Sequence, residues 1–554
     1  MERARLSYLQ IHPKDNVLVA LRDLPKGFVV DFEGKRFALL RDVAAKHKFT
    51  LGPMDKDAAV TMYGVLVGRL NEAVEAGELL TTQNLRHAAE DFRLGQRKLE
   101  WTRPDVSAFA GRTFNGFHRS NGRVGTANHW LVIPLVFCEN RNVLTLKAAL
   151  EEKLGYRVQT KDYASEVDEL ILRYRKGASV EELLGVDLSS ARTSSDSKRL
   201  FPNVDGVKFL NHDMGCGGTR MDSDALCGLL AGYITHPNVA GATILSLGCQ
   251  HAQASILRAE IARRDPQFDK PLYIFEQQVE GTEQELMHKA IKATFAGLTL
   301  ADKQQRQPAS LDKLCVGLEC GGSDGFSGIS ANPALGYLSD MLVALGGSVI
   351  LAEFPELCGV EQELSDRCID EATAERFMHL MKTYNAKAEA DGSGFYMNPS
   401  PGNIRDGLIT DAIKSAGAAK KGGTSPVVAV VDYPELANSP GLNLLCTPGN
   451  DVESTTAEVA AGANVVLFTT GLGTPTGNPI APVVKLSTNT RTYERMPDII
   501  DLNCGTIIDG EETIAEAAHR ILEYVIEVAS GRLKPKAVQL GQDDFIPWRR
   551  GVSL

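Results

Sequence analysis

Nine short apolar runs, each ending at glycine, cysteine, an acid or a polar turn, constrain this chain more than any other feature. They are LVIPLVFC, VKFLNHDMGCGG, ATILSLGC, LYIFE, LCVGLEC, SVILAE, PVVAVVDY, GLNLLCTPGND and NVVLFTTGLGTPTGN, separated by helical or polar stretches. Runs this short and continuously apolar read as strands buried on both faces. Strands alternating with helices imply parallel sheets with helices on both faces, an α/β body. In such sheets ligands sit beyond the carboxyl ends of the strands. The polar residues that close each run are therefore the first place to look for a site.

One run stands out. Leu314 to Leu318 opens into a glycine-rich turn carrying Cys320, Ser323, Asp324, Ser327 and Asn332, and helical spacing follows from Pro333 to Leu345. Glycines at 321, 322, 325 and 328 leave backbone amides unshielded, which suits a loop wrapped around an anionic or polyhydroxylated molecule. On these residues alone a tight turn without a ligand is the alternative reading.

The totals narrow the class. A chain of 554 residues exceeds one compact core, and at roughly 100–200 residues per domain it predicts about three domains. With 59 basic against 70 acidic residues and a net charge of −11, no cationic excess exists to neutralise phosphates, so nucleic acid is not an expected partner. Met1 to Gln10 lacks the apolar core of a signal peptide, and no apolar span reaches membrane length, so the expected location is cytoplasmic and no membrane partner is expected. Ten scattered cysteines with no C-x-x-C pair predict reduced thiols and argue against a zinc ribbon or ferredoxin-like cluster.

Taken in order, residues 1–95 alternate short apolar runs with turns and predict a small β-rich domain, in which His12, ahead of Pro13 and Asp15, and His47 stand out as metal-ligand candidates, a surface or packed histidine being the commoner reading of each alone. Residues 96–112 read as a polar linker. A first α/β domain is expected over 113–250. It opens on FNGFHRSNGRVGTANHW, where Arg119 and Arg123 are carboxylate-anchor candidates beside His118, and a solvated hairpin is the equal alternative. His212, Asp213 and Cys216 close a later strand of this domain. A second α/β domain is expected over 251–554, ending in a structural helix, ETIAEAAHRILEYVIEVASG. Neither G-x-G-x-x-G after a first strand nor G-x-x-x-x-G-K-[ST] occurs in the required context, so a nucleotide-dependent oxidoreductase or kinase ranks low.

Several long motifs in one order resemble the altronate and galactarate dehydratase family of sugar-acid dehydratases: IHPKDNVLVALRDLPKG, FNGFHRSNGRVGTANHW, GLECGGSDGFSGISANPALG, NPSPGN and GLNLLCTPGND. The resemblance spans nearly the whole chain. It implies that residues 1–95 form a SAF-type β-clip domain ahead of a two-part dehydratase body. It also implies a hydro-lyase that uses a divalent metal, Fe²⁺ first and Mn²⁺ second, on a small-molecule sugar acid. Within the family HPNVAGATILSLGC, PGLNLLCTPGND and PELCGVEQ look more like the altronate branch, with 2-keto-3-deoxygluconate of hexuronate breakdown as product. Galactarate or another sugar acid is the alternative, and a sugar-acid binding protein without turnover is the non-enzymatic one. Self-association into a homo-oligomer is left open.

Two departures from the family pattern bear on the substrate. After NPSPGN the family commonly has Lys, whereas this chain has Ile404 and Arg405, and the family's TTGRGTPYG is TTGLGTPTG here, with Leu472 and Thr476. One loop cation is thereby missing, and Arg405, Lys414 or Arg220 are the replacements at hand.

Dehydrating a 2,3-dihydroxy acid means removing the C2 proton, stabilising the enediolate and protonating the leaving C3 hydroxyl. A base titrating near 7 is wanted, and His212 is the first candidate, with a satisfied structural histidine at a strand end as its equal alternative, and Lys414 and His118 next. Asp324, Ser323, Asn398 and Asn403 are expected to bind sugar hydroxyls, and Arg119, Arg123 and Arg405 to bind charge. For the metal, His47 with Asp15 or His12 is one ligand set, and His212, Asp213 and Cys216 another. Cys138, Cys216, Cys249 and Cys320 fall at the family's cysteine positions, so an iron–sulfur cluster is a further, less favoured expectation.

Overall fold

The computed structural model describes residues 6–157, 163–188 and 198–553, and within them two sheets are parallel throughout. The smaller is built from β1 (His129–Pro134), β2 (Gly206–Phe209), β3 (Val239–Ser246) and β4 (Leu272–Glu276), in the order β2-β1-β3-β4. The larger contains β5 (Cys315–Cys320), β6 (Ser348–Leu351), β7 (Val427–Asp432), β8 (Gly441–Cys446), β9 (Val465–Thr470), β10 (Val483–Ser487) and β11 (Leu502–Asn503). Its order is β7-β8-β6-β5-β9-β10-β11. Every residue of β8 and β9 is buried, as strands covered on both faces must be.

All nine apolar runs contain a strand. β10 and β11 are not among them: β10 follows prolines and carries Lys485, and β11 has two residues, too few for any periodicity to show. The smaller sheet also outruns its expected end at residue 250. β3 takes β4 as its parallel neighbour across the crossover helix Ala254–Arg264, and the following helix Glu283–Ala301 packs on both, since parallel strands need helices over the sheet faces.

Five helices position the site. They are α1 (Arg220–Thr235), α2 (Ala331–Ala344), α3 (Asp411–Ala418), α4 (Asp451–Ala461) and α5 (Ile514–Ala529). Each except α2 starts with a side-chain cap, from Thr219, Thr410, Asn450 and Thr513, which satisfies amides that the helix leaves free. α1 packs against α4 and joins the two sheet units through one apolar core.

Eight short strands between Tyr8 and Arg86, paired antiparallel, form the expected N-terminal β domain. It is not a separate module. Val17, Val60, Met62 and Tyr63 share a core with Ile329, Leu335 and Ile413 of the larger unit. Residues 87–106 hold no helix or strand, and they are strapped to the larger unit where Arg97 donates to the Ser365 carbonyl (2.7 Å) and Lys98 N–H to that of Asp366 (2.7 Å). Among the described residues no helix is long and apolar enough to cross a membrane.

Candidate active site

The carboxyl edge of the larger sheet gathers charge that burial makes costly. β5 ends in Glu319 and Cys320, and β6 leads into Glu353 and Glu356. Glu458 comes from α4, and all five side chains are buried. Asp451, the first residue of α4, sits at a helix amino end, where negative charge is favoured. Among the described residues two lysines answer these groups directly. Lys421 lies 2.7 Å from Glu353 and 2.9 Å from the Cys320 sulfur, and Lys414 lies 2.7 Å from Glu356 and 2.8 Å from the Asn398 carbonyl oxygen.

The balance is incomplete. Both carboxylate oxygens of Glu319, one of Glu353, one of Glu458 and the Asn398 amide nitrogen are buried without a hydrogen bond. Burial and the neighbouring Glu353 and Glu458 push Glu319 well above the usual carboxylate range. Burial also raises Glu458 to about 8 and, with Glu353 and Glu356 beside it, Asp451 to about 7. Glu356 is the exception: burial would raise it, but Lys414 and Lys421 hold it down and keep it ionised. Lys414 is raised in return, since Glu356 outweighs the effect of burial.

Backbone geometry serves the cluster. Glu353 occupies the left-handed region (φ 61°, ψ 59°), which for such a side chain costs roughly 1–3 kcal/mol and persists only where surroundings enforce it. Here Thr447 accepts the Glu353 N–H (2.8 Å) and Lys421 fixes the carboxylate. Gly321 follows Cys320, and a methyl group there would overlap the Asp451 carboxylate, so the approach of α4 to β5 requires glycine.

Beside this cluster the glycine-rich loop forms a second, satisfied network. Asp324 accepts from Thr488 (2.8 Å) and Asn489 (3.1 Å) and pairs with Lys46 (3.0 Å), which also reaches Asp406 (2.9 Å). Lys46 comes from the N-terminal domain. So does Lys48, buried and donating to the Gly407 carbonyl (2.6 Å), with burial lowering it to about 7. Tyr63 of the same domain lies so close to Gly328 that a methyl group there would strike its hydroxyl. Leu472 donates its N–H to the Gly322 carbonyl (3.0 Å). The loop without its cation therefore packs directly on the glycine turn, and the nearby cation is Lys46.

The structure brings five of the sequence candidates to this edge. Ser323 and Asp324 lie on the turn, Asn403 donates to the Ser323 carbonyl (2.8 Å), and Lys414 holds Asn398. Arg405 is exposed two residues beyond Asn403 on the same short helix, while Arg220 is exposed at the start of α1 in the other unit.

The remaining candidates lie elsewhere. His212 is buried at the carboxyl edge of the smaller sheet, with one ring nitrogen 2.7 Å from the Pro134 carbonyl and the other accepting the Met214 N–H, and burial lowers it to about 4. His118 is exposed against the Pro308 carbonyl. Arg119 is buried and donates to the Pro237 carbonyl, Gln304 and Asn128, while Arg123 packs near Gly462 between the units. Asp15 accepts the His12 and Gly64 N–H groups, the His12 ring accepts from Lys14 N–H, and the His47 ring faces the Ala45 carbonyl. The His12 and His47 contacts close local turns, and the Asp15–Gly64 contact joins two hairpins of the N-terminal domain.

The expected ligand sets do not assemble. Among the described residues three groups bring ligand atoms within 4.8 Å of one another: Glu319, Glu353 and Asp451; Cys320, Glu353 and Glu356; and His87, Cys358 and Asp411. None contains His12, Asp15, His47, His212 or Cys216. The four family-position cysteines also divide. Cys320 is buried beside Lys421, whereas exposed Cys138 and Cys249 and half-buried Cys216 follow strands of the smaller sheet. Sequence reasoning assigns no role in the site to Glu319, Glu353, Glu356, Asp451 or Lys421. The available signal was an acid closing two buried runs, GLEC and ILAE.

Three family models cover the chain in order: an altronate/galactarate dehydratase SAF domain over 6–88, a D-galactarate dehydratase/altronate hydrolase second domain over 116–302, and a D-galactarate/altronate dehydratase C-terminal domain over 311–553. The altronate dehydratase of Bacillus subtilis (strain 168) is 33% identical over 99% of this chain and 100% of its own length. That of Escherichia coli (strain K12) is 33% identical over 95% and 96%. The galactarate dehydratase (L-threo-forming) of Escherichia coli (strain K12) is 28% identical over 96% and 95%. With three domain models matched in sequence and two relatives at one-third identity end to end, this chain belongs to the altronate/galactarate dehydratase family of hydro-lyases.

Proposed function

We propose that the chain dehydrates D-altronate to 2-keto-3-deoxy-D-gluconate at the carboxyl edge of the larger sheet. The observation that carries the reading is the buried, under-neutralised carboxylate cluster around Lys414 and Lys421. The two altronate dehydratases matched at 33% identity favour altronate over galactarate, while the relative named for galactarate matches at 28% over a similar length.

A divalent metal fits the residues present. Glu319, Glu353 and Asp451 bring carboxylate oxygens within 4.8 Å of one another, and several of the cluster's oxygens have no hydrogen bond. Oxygen donors of this kind suit hard or borderline ions such as Mn²⁺ or Fe²⁺. Bound there, the ion supplies Lewis-acid stabilisation of charge on the substrate carboxylate. The protein's own groups do the rest. Lys414, kept charged by Glu356, donates a proton to the C3 hydroxyl as it leaves as water. Asn398 offers its free amide N–H groups to a substrate hydroxyl, and its carbonyl steadies Lys414. A carboxylate of the buried cluster accepts the C2 proton, and loss of that proton and of the C3 hydroxyl leaves an enol, which tautomerises to the 2-keto product. The Lys46–Asp324 pair holds the glycine turn in place over the edge.

The test is an anaerobic assay of chelator-stripped protein supplied with Fe²⁺, Mn²⁺ or Mg²⁺, scoring 2-keto-3-deoxy acid from altronate and galactarate. Metal-dependent product from altronate supports the reading, with the Glu319→Gln variant losing both metal and turnover. Product from galactarate alone moves the substrate, and ligand binding without product from any acid replaces the enzyme with a sugar-acid binding protein.

A further inference from the structure

A second group of donors lies where the N-terminal domain meets the larger unit. His87 follows the last strand of the N-terminal domain, Cys358 follows the short turn Phe354–Leu357, and Asp411 opens α3. These three segments are far apart in sequence. Their ligand atoms nevertheless all lie within 4.8 Å of one another. One ion with bonds of about 2.0–2.3 Å holds tetrahedral donors roughly 3.3–3.8 Å apart, so modest closure completes a shell.

Two of the donors keep an unpartnered atom, although the other Asp411 oxygen accepts from Ser415 (3.3 Å). The His87 Nδ1 atom is buried with no hydrogen bond, and so is one carboxylate oxygen of Asp411, a residue only 1% exposed. Orphaned buried polar atoms are rare and call for an explanation. The surrounding backbone is tight: a methyl group at Gly359 would lie 3.5 Å from the Ala89 methyl and 3.3 Å from that of Ala412. The segments that carry the three donors are thus in direct contact.

We propose that His87, Cys358 and Asp411 bind one divalent transition metal of the Zn²⁺ or Fe²⁺ class. The nitrogen, sulfur and oxygen donors set it apart from the oxygen-only group at Glu319, Glu353 and Asp451. Three protein ligands leave one position open, and the ion ties the N-terminal domain to the helix that carries Lys414. The site does not depend on the substrate reading, because its signature is a metal–sulfur bond and not turnover.

The test uses the full chain, purified anaerobically, stripped and loaded with Co²⁺. The expected result is a thiolate-to-cobalt charge-transfer band in the near ultraviolet. Cys358→Ser and His87→Gln lose this band and one equivalent of metal, Cys320→Ser keeps it, and Glu319→Gln loses a different equivalent while the band persists. X-ray absorption of zinc-loaded wild-type protein, which needs no variant, is expected to show one sulfur and at least one imidazole around zinc. A band unchanged in Cys358→Ser, or a zinc shell of oxygen alone, overturns the assignment.

Discussion

The carboxyl edges of the two parallel sheets look alike in sequence and differ in physics. Both are read from apolar runs that open into glycine, cysteine and polar side chains. At the smaller sheet the conspicuous group, His212, has both ring nitrogens engaged by the backbone. At the larger sheet Glu319 is buried with neither oxygen hydrogen-bonded, and two lysines serve a crowd of carboxylates. A satisfied polar residue holds a fold, while an unsatisfied cluster is a place where a ligand has something to gain. Residue type does not separate these cases, and hydrogen-bond accounting does.

The largest break in this contrast should come from Lys421→Met. It leaves Glu353 buried without its cation, and loss of one partner of a buried pair costs about 3–5 kcal/mol, so the urea midpoint should fall steeply. Next, Lys414→Met should lower kcat by about 10²- to 10⁴-fold. His212→Asn should leave turnover per folded molecule unchanged, and urea melts should show about 1–3 kcal/mol of lost stability from its broken backbone contacts. A kcat loss in His212→Asn equal to that of Lys414→Met would move the chemistry to the smaller sheet.

The two edges should also respond to pH with opposite sign. His212 is lowered from 6.5 to about 4, so the unfolded chain takes the proton first, and stability falls as pH drops from about 6.5 to about 4. Glu458 is raised from 4.5 to about 8. Its contribution is complete below 4.5 and is lost as pH rises toward 8. Urea midpoints across pH in metal-free protein should show the acid limb flattened in His212→Asn and the alkaline limb flattened in Glu458→Gln. The smallest expected effect is His118→Ala, an exposed contact, within about 0.5 kcal/mol of wild type by the same melts.

Much of the architecture was legible. All nine apolar runs hold strands, the spacing after Asn332 is a helix, and the final segment starts with the capping pair of Thr513 and Glu516. Local rules suffice there, because burial on both faces and a cap both leave marks within a few residues. The site was half legible. The turn with Ser323 and Asp324, the NPSPGN loop and Lys414 were found, since glycine and polar residues cluster in the chain itself. Lys421, Glu353 and His87 were not, since each sits in an unremarkable segment and matters through partners brought in by the fold, 68 residues apart for the Lys421–Glu353 pair.

By itself the sequence determined the α/β class, the N-terminal β domain and the family, because periodicity, turn chemistry and long ordered motifs are properties of contiguous residues. Tertiary structure alone decided which polar residues face one another. It paired Lys421 with Glu353 and Cys320, left Glu319 without a hydrogen bond, brought Lys46 onto Asp324 and turned His212 into a backbone-satisfied residue. The physical reason is that the cost of burying a charge depends on every group around it, and those groups come from strands and helices that only the fold makes neighbours.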